Sequence, residues 1–210
     1  MDISVSIPML LVLSPILLSV ALAIRLTSGK PAIFRQWRTG RYGREFQLYK
    51  FRTMTVQQTG KGPGITRNGD PRVTGIGKLL RRTKLDELPQ LLNVLRGEMS
   101  LVGPRPDLQE FWQQASADAR QVLALIPGLT GPASIAFRNE ESLLAQIAPE
   151  QLRSFYVERL LPAKARIDLE YAAGASFLSD CSTLLQTLTA TASIGSQSTR
   201  FQKVHEQLSR

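Results

Sequence analysis

Three stretches of this 210-residue chain predict an α+β fold that is mostly helical, joined to one apolar N-terminal segment. Residues 3–24 carry no charge. Residues 33–51 hold two short aromatic-rich runs around a glycine-bounded turn, and from Val73 onward the chain reads as helices separated by proline and glycine. The length suits one well-buried domain, which divides as an apolar segment 1–26, a globular domain 27–194 and a polar tail 195–210.

As a helix the apolar run would be roughly 33 Å long, enough to cross a hydrocarbon core. It is preceded by Met1-Asp2 without a basic residue, and no small-residue cleavage site follows, so the segment is expected to stay attached. Arg25, Lys30, Arg35, Arg38 and Arg41 follow at once, which puts the C-terminal side in the cytoplasm. Pro15 cannot donate to the carbonyl of Leu11, and the Ser14 hydroxyl can bond a carbonyl one turn back. Pattern alone favours a kinked spanning helix with its N-terminus outside; a re-entrant hairpin is the alternative.

Ile33 to Trp37 and Phe46 to Phe51 then form a β-hairpin. Trp37, Tyr42 and Tyr49 amid arginines suit either a lipid headgroup layer or a packed hairpin. Lys50 and Arg52 end the second strand, where they meet phosphate or line a solvated edge. Gly60 to Pro71, with four glycines and two prolines, reads as a mobile loop over a site. Val73 to Arg82 is a short helix with Ile76, Leu79 and Leu80 inward. A second runs from about Pro89 to Arg96 and stops at Gly97. Leu108 to Ile126 is an amphipathic helix ended by Pro127-Gly128, and Pro127 to Pro132 is a rigid loop. Pro149 to Leu160 and Ala163 to Thr189 are two more helices, the latter suited to a membrane surface or to covering the core.

The charge of +9 is uneven. Residues 25–96 hold 16 of the 26 Lys and Arg against Glu45, Asp70, Asp86 and Glu87, so that segment is +12 and the remainder −3. Such a block suits a polyanionic partner: nucleic acid, an anionic membrane surface or a phosphorylated substrate. The single Cys181 excludes an intrachain disulfide, and His205 stands alone, so no Ser/His triad or His-based metal site is available.

Within the basic segment, Asp86 and Glu87 stand side by side at an expected helix start. Acids there complement unpaired amides and the macrodipole, which is explanation enough for their presence. A chemical role is the alternative. Adjacent carboxylates raise one another's pKa unless a cation intervenes, so Mg²⁺ or the flanking arginines would be needed to keep both ionised. Neighbours on a helix diverge by about 100°, which suits two distinct jobs, one attacking and one holding metal.

The run Lys84 to Pro106, with its Leu-Asp-Glu-Leu-Pro-Gln and Ser-Leu-Val-Gly-Pro-Arg-Pro, closely resembles the bacterial sugar transferases known as monotopic phosphoglycosyl transferases. Tyr49 to Met54, Asp70 to Thr74, Pro127 to Gly131, Leu161 to Lys164 and Asp168 to Tyr171 carry the likeness further, from Ser14-Pro15 to about Phe177. The resemblance implies a membrane enzyme that moves a phosphosugar from a UDP-sugar to polyprenyl (undecaprenyl) phosphate and releases UMP, with Mg²⁺ as cofactor, at the first membrane step of polysaccharide or glycoconjugate synthesis. It implies Asp86 as the nucleophile of a covalent aspartyl-phosphosugar intermediate and Glu87 as a metal ligand beside it. Arg81 matches a phosphate clamp and Arg105, between Pro104 and Pro106, a nucleotide contact. Lys50 and Arg52 join the substrate-binding set. Ser14-Pro15 matches the pair that breaks the N-terminal helix into a re-entrant hairpin, with both ends on the cytoplasmic face of the bacterial inner membrane and amphipathic helices on its surface. Lys84 stands where Ser is frequent, and Pro132 to Arg138 lacks the Trp common after Pro-Gly-x-Thr-Gly. A non-catalytic basic adaptor on anionic lipid is the other functional class; nucleic acid is disfavoured because the apolar segment would pin the chain to a bilayer.

Overall fold

The computed structural model describes residues 2–55 and 64–192. Asp2–Ser28 forms one helix, α1, and the break expected at Ser14-Pro15 is absent from it. The Ser14 hydroxyl donates to the Leu11 carbonyl at 2.8 Å, the carbonyl that Pro15 leaves without its usual donor. Leu11, Val12, Leu18, Leu22 and Leu26 are exposed. By length and composition α1 is able to cross a membrane.

Strands β1 (Ile33–Thr39) and β2 (Glu45–Phe51) pair antiparallel, Phe34 opposite Lys50 and Arg38 opposite Phe46. Phe34, Gln36 and Arg38 therefore share a face with Phe46, Leu48 and Lys50. The free edge of β2 is closed by one side chain: Asn93 accepts from the Tyr49 amide at 3.1 Å and donates to the Gln47 carbonyl at 2.7 Å.

Helix α2 (Gly75–Thr83) is capped by Thr74, whose hydroxyl accepts from Gly77 at 3.0 Å. Ile76 and Leu80, one turn apart, face the body, whereas Leu79, expected inward, is exposed. Lys84 then takes a left-handed conformation (φ 57°), and a 3₁₀ segment over Leu85–Gln90 leads into α3 (Leu91–Leu95). The expected helix from Pro89 is thus shorter, and Asp86 and Glu87 lie within the 3₁₀ turn.

A feature missed in the sequence follows: β3 (Ser100–Val102) pairs in parallel with β4 (Gly128–Thr130). Between them the predicted long helix is divided into α4 (Gln109–Gln114), α5 (Ala117–Arg120) and a 3₁₀ turn over Gln121–Ala124. Ser116 causes the division by accepting from the Ala119 amide at 3.2 Å and starting a new helix. After α6 (Pro132–Ala136) and α7 (Glu140–Leu144), α8 (Leu152–Phe155) passes through a π-helical turn, Tyr156–Leu160, into α9 (Leu161–Ala173). The continuous helix expected over 163–189 ends at Gly174 and resumes as α10 (Phe177–Ala192), opened by reciprocal Ser176 and Ser179 bonds. The expected loop at Gly60 and the polar tail lie partly or wholly outside the described residues.

Three apolar clusters hold these pieces. The largest joins α4 to α9 around Phe111, Leu144 and Leu160. A second sets β2, α3 and β3 around Leu91, Met99 and Leu101, with Met9, Leu10 and Leu184 against it. The third seats Ile24 against Phe51 and Leu80. Both halves of α1 therefore rest on the body.

Candidate active site

The 3₁₀ turn that carries Asp86 and Glu87 packs on β2, which brings Lys50 to the dyad. Lys84, left-handed, accepts from the Glu87 amide at 3.1 Å and closes the turn. The second cation arrives from Gly103-Pro104-Arg105, where backbones of two segments touch. Gly103 donates to Thr130 and Gly128 donates to Pro104, both at 2.8 Å. A Cβ on Gly128 would lie 2.1 Å from the Gly103 nitrogen, so side chains are excluded there.

Arg105 grips Glu87 through a two-point fork, Nη2 to Oε1 at 2.6 Å and Nη1 to Oε2 at 3.1 Å. Lys50 Nζ adds a bond to Oε1 at 3.4 Å. Burial by itself would raise the Glu87 pKa, but Arg105 and Lys50 hold the carboxyl well below its usual range. Burial, then the charge of Glu87, raises Asp86 instead. Asp86 Oδ1 is buried with no hydrogen-bond partner among the described residues. Burial and the neighbouring Arg105 push the Lys50 ammonium down to about 8, against the opposing pull of Glu87 and Asp86. Glu87 is therefore engaged by two cations, and Asp86 keeps an unused oxygen.

The remaining sequence candidates are placed differently. Arg81 pairs with Glu141. Arg52 is buried and donates to the carbonyls of Ser28, Gly29 and Lys30 at 2.5, 2.7 and 2.9 Å, so it terminates α1. Pro104 and Pro106 shape the turn: Pro106 is buried, and its carbonyl accepts from Arg38 at 3.4 Å. Ser14 and Pro15 are exposed within α1.

Residues the sequence did not single out surround this core. Arg38, on the same face of the hairpin as Lys50, reaches Asp107 at 3.4 Å. Asp168 accepts from the Ala133 amide at 3.1 Å, and burial raises its pKa to about 6. Lys164 and Asp168 stand inside motifs noted above, so their motif membership was visible; their convergence behind Arg105 was not. A cavity of about 20 Å³ lies there, lined by Arg105, Asp107, Trp112, Lys164 and Asp168 among others.

Among the described residues no three metal-binding side chains converge. Asp86 and Glu87 are the two carboxylates that would hold the divalent cation implied by the resemblance. Asp86 Oδ1 is unpartnered, and Glu87 Oε2 retains one lone pair beyond its bond from Arg105. Two carboxylates without a full protein cage fit Mg²⁺, which keeps waters and shares substrate phosphate oxygens.

A model of the family described as bacterial sugar transferase matches residues 1–193. The chain is 49% identical over 125 residues to a UDP-glucose:undecaprenyl-phosphate glucose-1-phosphate transferase of Caulobacter vibrioides, covering 58% of this chain and 47% of the relative. It is 44% identical over 141 residues to the exopolysaccharide production protein PSS of Rhizobium leguminosarum bv. phaseoli, covering 64% and 70%. It is 36% identical over 154 residues to an undecaprenyl-phosphate galactose phosphotransferase of Salmonella typhimurium, covering 66% and 32%. The chain thus spans about half of the first relative and about a third of the last.

Proposed function

Because the chain belongs to the bacterial sugar transferase family, we propose that it transfers a phosphosugar from a UDP-sugar to a polyprenyl phosphate and releases UMP. The observation that carries this is the unequal use of the dyad: Glu87 is gripped by Arg105 and Lys50, while Asp86 keeps a buried oxygen with no partner. An oxygen free of hydrogen bonds keeps its nucleophilicity, and the cations beside it offset the charge of an incoming diphosphate.

In this reading Asp86, ionised, attacks the sugar-linked phosphorus. The bond from that phosphorus to the bridging oxygen breaks, and UMP leaves with the electron pair. An oxygen of polyprenyl phosphate then attacks the same phosphorus, the bond to Asp86 breaks, and a polyprenyl diphosphosugar forms with the carboxylate restored. Arg105 contacts the diphosphate and nucleotide, Lys50 supports the transferring phosphoryl group, and Arg81 exchanges Glu141 for acceptor phosphate. Glu87 with Asp86 would hold Mg²⁺, which when bound supplies charge neutralisation at the transferring phosphate.

The reaction joins a soluble nucleotide sugar to a lipid, so the site belongs at a bilayer surface. The exposed apolar side chains of α1, and Phe177, Leu178, Leu185 and Leu188 on α10, suit that surface on the cytoplasmic face of a bacterial inner membrane. Two contacts support both ends of α1 lying on the same side of the bilayer: Asp2 accepts from the Leu101 amide at 3.4 Å, and Ile24 is buried on Phe51 and Leu80.

The test is a panel of UDP-sugars assayed for UMP release by the detergent-solubilised protein. Incubation with donor and no acceptor should add a phosphosugar mass to the peptide containing Asp86. Release of UDP would instead identify transfer of the sugar alone, and wild-type turnover by Asp86→Asn would refute the covalent route.

A further inference from the structure

Behind Arg105 lies a chain of buried polar groups that the proposed chemistry leaves unused. Asp107 follows Arg105-Pro106 directly. Its carbonyl accepts from the Thr39 amide at 2.9 Å, and its Oδ1 accepts from the Tyr156 hydroxyl at 2.9 Å and from Arg38 at 3.4 Å. Lys164 Nζ donates to the Tyr156 hydroxyl at 3.3 Å and pairs with Glu140 at 2.6 Å. Tyr156, Asp107 and Lys164 are each at most 6% exposed.

The backbone is specially shaped to build this chain. Tyr156 opens the π-helical turn between α8 and α9, a wider turn that changes the direction of the side chains entering it. Such turns persist at functional positions because they cost helical hydrogen bonding. The acids and bases alternate along the chain: Arg38, Asp107, Tyr156, Lys164, Glu140. Each buried charge meets an opposite charge or the phenol, so fixing one end constrains the other.

We propose that Tyr156, Lys164 and Glu140 are positioning residues, which hold Asp107 and through it the Arg105-Pro106 turn in the place where Arg105 grips Glu87. Asp107 is the link because only Pro106 separates it from Arg105, and a shift of the turn by a bond length would break the two-point fork. The inference uses the proposed function only for its kinetic readout; the structural readout stands without it.

The experiment compares full-length, detergent-solubilised wild type with Tyr156→Phe, which keeps the buried ring and removes the hydroxyl. Peptide-level hydrogen exchange over 101–108 should quicken at least tenfold in the variant, with other peptides unchanged and the melting temperature little altered. The donor KM for UMP release should rise about tenfold, because Arg105 no longer arrives preorganised. Should that variant fold poorly, Glu140→Gln at the half-buried end should move the same readouts in the same direction by a smaller factor. Unchanged exchange over 101–108 overturns the proposal. So does faster exchange throughout the domain with a lowered melting temperature, which would make the chain a general prop, or a loosened turn with unaltered kinetics. If wild type releases no UMP from any UDP-sugar, the proposed function fails while the exchange data still decide the relay.

Discussion

Arg105 binds both oxygens of Glu87, and the carboxylate next to it in sequence, Asp86, has a buried oxygen that no group in the described residues meets. The difference arises from the 3₁₀ turn, which points successive side chains about 120° apart. Glu87 meets the Arg105 turn and Lys50, while Asp86 Oδ1 stays without a hydrogen bond.

The two acids should therefore respond oppositely to neutralisation. Asp86→Asn is expected to abolish UMP release, by a factor of a thousand or more, with stability unchanged or raised because a buried carboxyl with an elevated pKa is removed. Glu87→Gln strands Arg105 and Lys50 without their counter-charge and should cost about 3 kcal/mol of stability. Denaturant unfolding alongside the UMP assay reads both.

Gly128→Ala should be among the most damaging small substitutions, because the new methyl would lie 2.1 Å from the Gly103 nitrogen and displace the turn that carries Arg105. A loss of more than about 2 kcal/mol, with reduced activity in what still folds, is expected. Gly174→Ala is the contrast: φ is −123° and nothing lies within 4 Å of the added Cβ, so a gain of about 0.5 kcal/mol is expected. Melting curves of the two variants provide the check.

Arg52→Gln removes the group that satisfies the carbonyls of Ser28, Gly29 and Lys30. The loss should fall on stability, about 2 kcal/mol, because the hydrogen bonds of the buried guanidinium to these carbonyls are lost. Arg105→Gln should raise the donor KM as well as cost stability, because it leaves the buried Glu87 with Lys50 alone. Measuring unfolding and KM for both variants separates the roles.

Asp168 gives a pH signature. Its folded pKa of about 6 lies above the unfolded 3.8, so the folded state binds more protons between those values and its stability falls as pH rises from about 4 to 6. Asp168→Asn keeps an oxygen for the Ala133 amide and removes the charge. It should flatten that slope and stabilise the protein at pH 7 by up to about 3 kcal/mol, read from unfolding at a series of pH values.

For topology, a cysteine at position 2 in a Cys181→Ser background should stay unlabelled by an impermeant thiol reagent applied to spheroplasts, because Asp2 rests on Leu101 on the same side as Ile24. Labelling from outside would establish a spanning helix.

Local chemistry made several features legible. The uncharged run that became α1, the aromatic-rich strands and the Pro and Gly that bound the short helices all act through neighbours a few residues away. The Asp86-Glu87 pair was visible for the same reason, as was its need for cations. Long expected helices failed where one local competitor won: Ser116 capped a new helix, and Gly174 ended another. Leu79 faced outward because the face of α2 that meets the body is the one with Ile76, Gly77 and Leu80.

What the sequence determined by itself was a basic, membrane-suited, helix-rich chain with two adjacent acids and a Gly-Pro-Arg-Pro turn. Which acid is engaged and which is open was decided only by tertiary structure. It took the parallel contact of β3 with β4 to deliver Arg105, the hairpin to deliver Lys50 and Arg38, and a π-helical turn to bring Tyr156 onto Asp107. Arg52 and Lys50 are two residues apart and equally basic, yet one caps a helix and the other meets the dyad. The interaction that separates them is with groups distant along the chain, and ion pairing depends on distance in space, which periodicity and composition do not encode.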